Sequence, residues 1–284
     1  MSAHLRLRSE QWREREAHHR ALADELTADY RARAARRQKH PVEDFLFTYY
    51  SYKPSVLRRW HPGAGVVLED AAATPRSGWR GYVPTHPEGS LVVDADLYRA
   101  QRGAMLANVV RILRATAGRA PSYGCFGMHE WAMLYREPRP RHDLPLRLGA
   151  AGTDAVVERH DLRCTHFDAY RFFTPDAAPR NRATLTRETS PEQPGCLHAG
   201  MDLYKWAVKA GPLVPGELLL DTFRHARAIR ALDMQASPYD LREWGYAPVA
   251  VETPEGKAEY VRRQREFAEA GTVLRARLLD AIGV

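Results

Sequence analysis

Residues 195–206 read Gly195-Cys196-Leu197-His198-Ala199-Gly200-Met201-Asp202-Leu203-Tyr204-Lys205-Trp206. Taken as a helix, they place His198 and Asp202 four positions apart on one face. Asp221 and His225 repeat that spacing in reverse order within a second helical pattern, Glu217 to Met234. Two Asp/His faces on neighbouring helices can meet. They would form either a pocket in which carboxylates poise imidazoles for acid–base work, or the start of a metal site. A single pair of this kind, taken alone, is most simply a surface hydrogen bond contributing a few tenths of a kcal/mol.

Outward from this stretch the chain reads as mainly α: a compact multi-helix domain over residues 1–284 with a small loop-rich, partly β insert, α+β being the alternative. Ser9 to Lys39 reads as a charged helix with a Leu22, Leu26, Tyr30 stripe, so residues 1–39 are expected to pack on the body, with their basic end solvated or touching phosphate. Pro41 breaks the pattern. Phe45, Tyr49 and Tyr52 can share a helix face that Lys53-Pro54 ends. Residues 55–93 carry turn chemistry around two strand-like pieces, 65–68 and 79–83, and are expected to hold one hairpin. Helix returns from Asp94 to Thr116, with Leu97, Leu106, Val109, Val110 and Leu113 apolar and Gly118 as the stop. Residues 148–154 read as a turn between short strands, one of them 155–158, and an extended backbone at 166–168 would put His166 and Asp168 on the same side. Thr253-Pro254 opens a last helix reaching Ile282.

With 44% hydrophobic and 27% charged residues the chain has the composition of a globular protein, and no run approaches the ~18 apolar residues of a membrane span. Met1-Ser2-Ala3-His4-Leu5-Arg6 leads into charge rather than an apolar segment, so no secretory leader is expected. Three cysteines, Cys125, Cys164 and Cys196, are odd in number and far apart in sequence. That argues against a disulfide framework and for a reducing compartment, the cytoplasm. Lys and Arg outnumber Asp and Glu by 42 to 35, a modest excess that suits a polyanion such as DNA reached through dispersed arginines. An Arg- and Ala-rich composition with only five lysines is also what a GC-rich genome writes, so charge alone carries little weight.

His129-Glu130-Trp131 lies near a first helical turn. Adjacent residues diverge by about 100° on a helix, so one of the His/Glu pair is expected to serve as a structural hydrogen-bond partner. The aromatic segment 45–52 reads as core or as a wall that stacks a planar, preferably cationic, ring. For a metal the available ligands are His129, Glu130, His166, Asp168, His198, Asp202, Asp221 and His225, a mixture suited to iron, manganese or zinc. No HExxH, CxxC or paired Glu-x-x-His element accompanies them. Cys196 would serve as a nucleophile only if it preceded the helix, because at i,i+2 it diverges from His198.

HPVEDFLFTYYSYKP at 40–54, LRRWHPGAGV at 57–66, GCFGMHEWAM at 124–133, HFDAYRFFTP at 166–175, PGCLHAGMDLYKWA at 194–207, RALDMQASPYDL at 230–241 and ETPEGKAEY at 252–260 cover most of the chain. On these segments it resembles an actinobacterial family that carries the name 3-methyladenine DNA glycosylase. The resemblance implies an N-glycosidase, a hydrolase of DNA repair, that removes an alkylated base from DNA or a nucleoside. Cleaving that bond needs an aromatic cage for the cationic base and a carboxylate near the developing sugar cation, with a water. Tyr49, Tyr50, Tyr52, Trp131, Phe167, Tyr170 and Tyr204 are the cage candidates. Asp202, Asp168 and Glu130, with His198, are the catalytic candidates, and Asp233 is a further carboxylate. No cofactor is expected; a transition metal in a small-molecule enzyme is the alternative, and a non-enzymatic ligand- or DNA-binding protein the second. His198 and Asp202 are expected to share one pocket with Glu130 or Asp168.

Overall fold

The computed structural model describes residues 5–140 and 142–283, and the first four residues read for a leader lie outside them. Among the described residues ten α-helices and one four-stranded sheet make the protein mainly α with a small β insert. The opening stretch is helix α8, Leu197–Ala210, and eleven of its residues are buried. It packs on α9, Gly216–Gln235, and on α10, Pro254–Ile282. Gly200 makes the first contact close: a Cβ there would lie 2.7 Å from the Ile229 side chain of α9.

Around this pair stand α1 (Ser9–Ala35) and α4 (Ala95–Ala117). Asp94 caps α4 by accepting from the Leu97 amide, and Thr253 caps α10 by accepting from Gly256 with Pro254 in the first turn. Leu97 departs from expectation: it is 39% exposed, because the buried face of α4 runs through Tyr98, Leu106, Val109 and Leu113 instead. At the basic end of α1, Arg33 pairs with Asp44 at 2.7 Å and Glu43 at 2.9 Å, while Arg36, Arg37 and Lys39 are exposed.

The insert holds β2 (Val66–Leu68), β3 (Tyr82–Thr85) and β4 (Ser90–Val93), with β3 and β4 forming the expected hairpin. The fourth strand, β1 (Leu5–Leu7), comes from the amino-terminal end and pairs parallel to β2, giving the order β1-β2-β4-β3. A three-residue strand whose partner is sixty residues away leaves no local pattern to read.

Short helices complete the fold: α2 (Phe45–Tyr49), α3 (Pro54–Leu57), α5 (Met128–Ala132), α6 (Gly149–Glu158) and α7 (Phe167–Tyr170). Three local expectations are corrected. Residues 149–158 are helix, not turn and strand: Thr153, Val156 and Val157 form a buried helical face against α5, and tertiary packing overrides the two glycines and the β-branched pair. The aromatic helix stops at Tyr49, Ser51 takes the left-handed φ of 58°, and Tyr52 leaves the face it was expected to share. Residues 167–170 turn as a helix with His166 as the extended residue before them, so His166 and Asp168 are not alternate positions of a strand. The main core joins the sheet to α1, α4, α8, α9 and α10, and fully burying one Leu or Phe in it is worth about 1.5–3 kcal/mol.

Candidate functional site

α5, α8 and α9 converge beside the aromatic segment, and at their junction lies a cavity of about 650 Å³. α5 can start only because Gly127 takes the left-handed region at φ 71°, with Tyr260 and Ala236 packed where a side chain would stand. That turn sends His129 inward to α9 and Glu130 toward the cavity. His129 Nε2 lies 2.7 Å from Asp233 Oδ1. Arg230, one helical turn before Asp233, donates through Nη1 to Asp233 Oδ2 at 2.8 Å and to Glu130 Oε1 at 2.9 Å. Its guanidinium rests 3.9 Å from the Phe45 ring centroid. All four polar groups are buried.

α8 supplies the second half. His198 stands against His129, ring centroids 4.4 Å apart, and against His166 at 5.3 Å. It lines the cavity, and among the described residues its imidazole makes no hydrogen bond. One turn on, Asp202 accepts from Tyr50 Oη at 2.7 Å and from Lys205 Nζ at 2.6 Å. His166 Nε2 approaches Asp202 at 3.5 Å and Glu192 at 3.7 Å, ion-pair contacts longer than hydrogen bonds. Asp168 lies among Arg171, Arg187 and Lys205 at 3.3–3.6 Å.

The three imidazoles are tuned in opposite directions. Burial works against protonating His129 and His166, but Asp233 beside the first and Asp202 with Glu192 beside the second outweigh it, and both basicities rise. Burial, with His129 and His166 alongside, pushes His198 well below its ordinary value, so the cavity-facing imidazole is neutral at pH 7. Burial also opposes ionising Asp202, yet Lys205 and His166 hold its carboxyl below the usual carboxylate range.

The structure brings Glu130, Asp168, His198, Tyr49, Tyr50 and Tyr52 to the cavity wall. Asp202 sits directly behind it, under Tyr50 and Lys205. Tyr204 is deeper still, packed on Tyr50, Tyr52 and Phe223. The other aromatic candidates stand outside the lining: Trp131 is fully buried with its indole donating to the Ala236 carbonyl, Phe167 carries Arg187 on its ring, and Tyr170 packs on Phe173. The two Asp/His faces do not meet. His225 packs against Gly200 and Phe267, and Asp221 pairs with Arg277 and Arg224 at the surface, because α9 turns its Arg230/Asp233 end toward the site instead. Cys196 does precede α8, as its cap residue, but burial pushes its thiol up to about 12, which disfavours the thiolate.

Sequence reasoning passed over the cations. Arg171, Arg187, Lys205, Lys209 and Arg230 all line the cavity against two carboxylates, Glu130 and Asp168. Two of the five lysines, spaced i,i+4 on α8, are a signal that was there to find. A second cavity of about 530 Å³ shares Tyr52 and Lys209 with the first, adds Arg59, Arg80 and Arg102 beside Trp79, and has no carboxylate among the described residues of its lining. For a metal, His129, His198 and Asp233 each offer one ligand atom, all within 4.8 Å of one another. Compared with models of protein families, with curated proteins and with solved structures, the chain matches none.

Proposed function

We propose that the protein is a hydrolase that cleaves the N-glycosidic bond of an alkylated nucleotide unit, and that the unit belongs to DNA. The observation that carries this reading is the division of one cavity into an aromatic half, Phe45, Tyr49, Tyr50 and Tyr52, and a cationic half, Arg171, Arg187, Lys205 and Lys209, over a floor of Glu130 and His198. Its volume falls in the range of small-molecule sites. Tyrosine faces stack a planar base, and arginines and lysines hold phosphate. Arg171 and Arg187 around the single carboxylate Asp168, with Lys209 beside them, leave one side of the cavity cationic and favour a base carried on a phosphate backbone. The second cavity extends that preference to a neighbouring phosphate.

In this reading the base stacks on the tyrosines and leaves with the electron pair of the C–N bond. Glu130 stabilises the sugar cation and orients a water, whose proton passes to the Glu130 carboxylate as its oxygen bonds the sugar carbon. Asp202 acts at one remove by orienting Tyr50 and Lys205. Among the described residues no helix is long and apolar enough to cross a membrane, and the three cysteines are free thiols. These features support our placing the protein in the cytoplasm.

The test is chromatographic detection of free 3-methyladenine from methylated duplex and single-stranded DNA. Glu130→Gln is expected to slow release at least about 100-fold. Release from a methylated nucleoside but not from DNA would move the substrate to small molecules. Tight DNA binding with no base release would replace the enzyme by a binding protein.

A further inference from the structure

Beside the cavity, three helices bring three donor groups together. His129 on α5, His198 on α8 and Asp233 on α9 bring ligand atoms within 4.8 Å of one another. We propose that these residues form a binding site for one divalent transition ion, of the iron, manganese or zinc class. Two imidazole nitrogens and one carboxylate oxygen suit those ions better than magnesium or calcium, which favour oxygen ligands throughout.

Four features support the site independently of its ligand types. Arg230 Nη1 holds Asp233 through Oδ2, leaving Oδ1 turned to His129, as outer-shell partners orient metal ligands. Asp233 already pairs with His129 at 2.7 Å, and an ion bound there would take the place of the proton these two groups share. His198 makes no hydrogen bond among the described residues and is free to turn its nitrogen to an ion. It also lines the cavity, so an ion bound there has an open side for water or a substrate atom, as catalytic sites keep. Neither Asp202 nor His166 belongs to the set: their contacts run to Tyr50, Lys205 and Glu192.

The test needs no substrate. The full chain, stripped with a chelator, is dialysed against Zn²⁺, Mn²⁺ or Co²⁺ and its metal content measured. One equivalent is expected at micromolar ion, with affinity falling at least about 100-fold in His198→Ala and in Asp233→Asn. Circular dichroism and thermal unfolding establish that each variant is folded. If neither variant folds, the visible spectrum of the wild-type Co²⁺ form decides: weak bands of nitrogen and oxygen ligation support the site. A thiolate charge-transfer band would assign the ion to the cysteines and overturn it. So would the absence of stoichiometric binding, or binding unchanged in folded His198→Ala. The base-release assay is a separate measurement, so each reading can fail without the other.

Discussion

Replacing Arg230 by Met removes the cation that two buried carboxylates share while leaving an apolar chain of similar reach on Phe45. Asp233 keeps His129 at 2.7 Å, but Arg230 is the ion-pair and hydrogen-bond partner of Glu130, which is only 7% exposed. Breaking a buried pair from one side costs about 3–5 kcal/mol. Glu130 borders the cavity and water reaches it, which places the loss near about 3 kcal/mol. At roughly 2–4 °C per kcal/mol for a chain of this size, that lowers the thermal midpoint by about 6–12 °C. The single variant, Glu130→Gln, and the double variant are compared by circular dichroism melts and urea titration at pH 7. Because the harm is an orphaned charge, Arg230→Met/Glu130→Gln should be more stable than Arg230→Met alone, a coupling that the cycle isolates. A midpoint lowered by less than about 2 °C, or a double variant no better than the single, would refute the argument that this network is held together by the guanidinium.

Three further outcomes follow from other parts of the structure. His61 is half-buried, hydrogen-bonded to Tyr82, and its desolvation, with Arg59 and Arg76 nearby, lowers it to about 3. The unfolded chain therefore takes up a proton near pH 6.5 that the folded chain refuses until about pH 3, and stability drains as pH falls through that window by up to about 1.4 kcal/mol per unit. Urea titrations at pH 7 and 5 should show a smaller acid-side loss in His61→Gln than in wild type, and equal losses would contradict it. Gly256→Ala gains about 1 kcal/mol of helix propensity but drives a Cβ into the Ala250 carbonyl oxygen, so it should lower the thermal midpoint, whereas a rise would show that the clash relaxes freely. Arg76 is buried with its guanidinium 5.0–5.6 Å from the rings of Trp12, Trp60 and Trp79 and paired with Glu16 at 2.7 Å. Arg76→Met should destabilise by about 2–4 kcal/mol in denaturant titration, and a loss under 1 kcal/mol would mean that the tryptophans pack as well without a cation.

The long helices were legible because their ends are written locally: Asp94 and Gly118 bracket α4, and Thr253-Pro254 opens α10. What escaped depends on distant partners. β1 exists only through its pairing with β2, and α6 is a helix because α5 covers Thr153, Val156 and Val157. The site divided in the same way. Glu130, Asp168 and His198 stood out as polar groups beside apolar runs. Arg230 was one arginine among many, and its partnership with Glu130 spans a hundred residues. The Asp221/His225 pair misled for a related reason: i,i+4 spacing fixes a common face but not which way that face turns, and the close approach at Gly200 directs it into the α8–α10 packing.

That approach also explains why the opening stretch governs the site. α8 presents Gly200 to α9 on one side, and on another it presents His198 and Asp202, one turn apart. His198 reaches the group built from His129, Asp233, Arg230 and Glu130, and Asp202 reaches the group built from Tyr50, Lys205 and His166. Among the described residues the two groups share no hydrogen bond, and α8 carries a member of each, His198 and Asp202. A helix displaced by a larger residue at position 200 would move both groups relative to Phe45 and Tyr49. The i,i+4 pair therefore acts less as a mutual Asp–His contact than as two anchors, each holding one half of the cavity floor in register with the other.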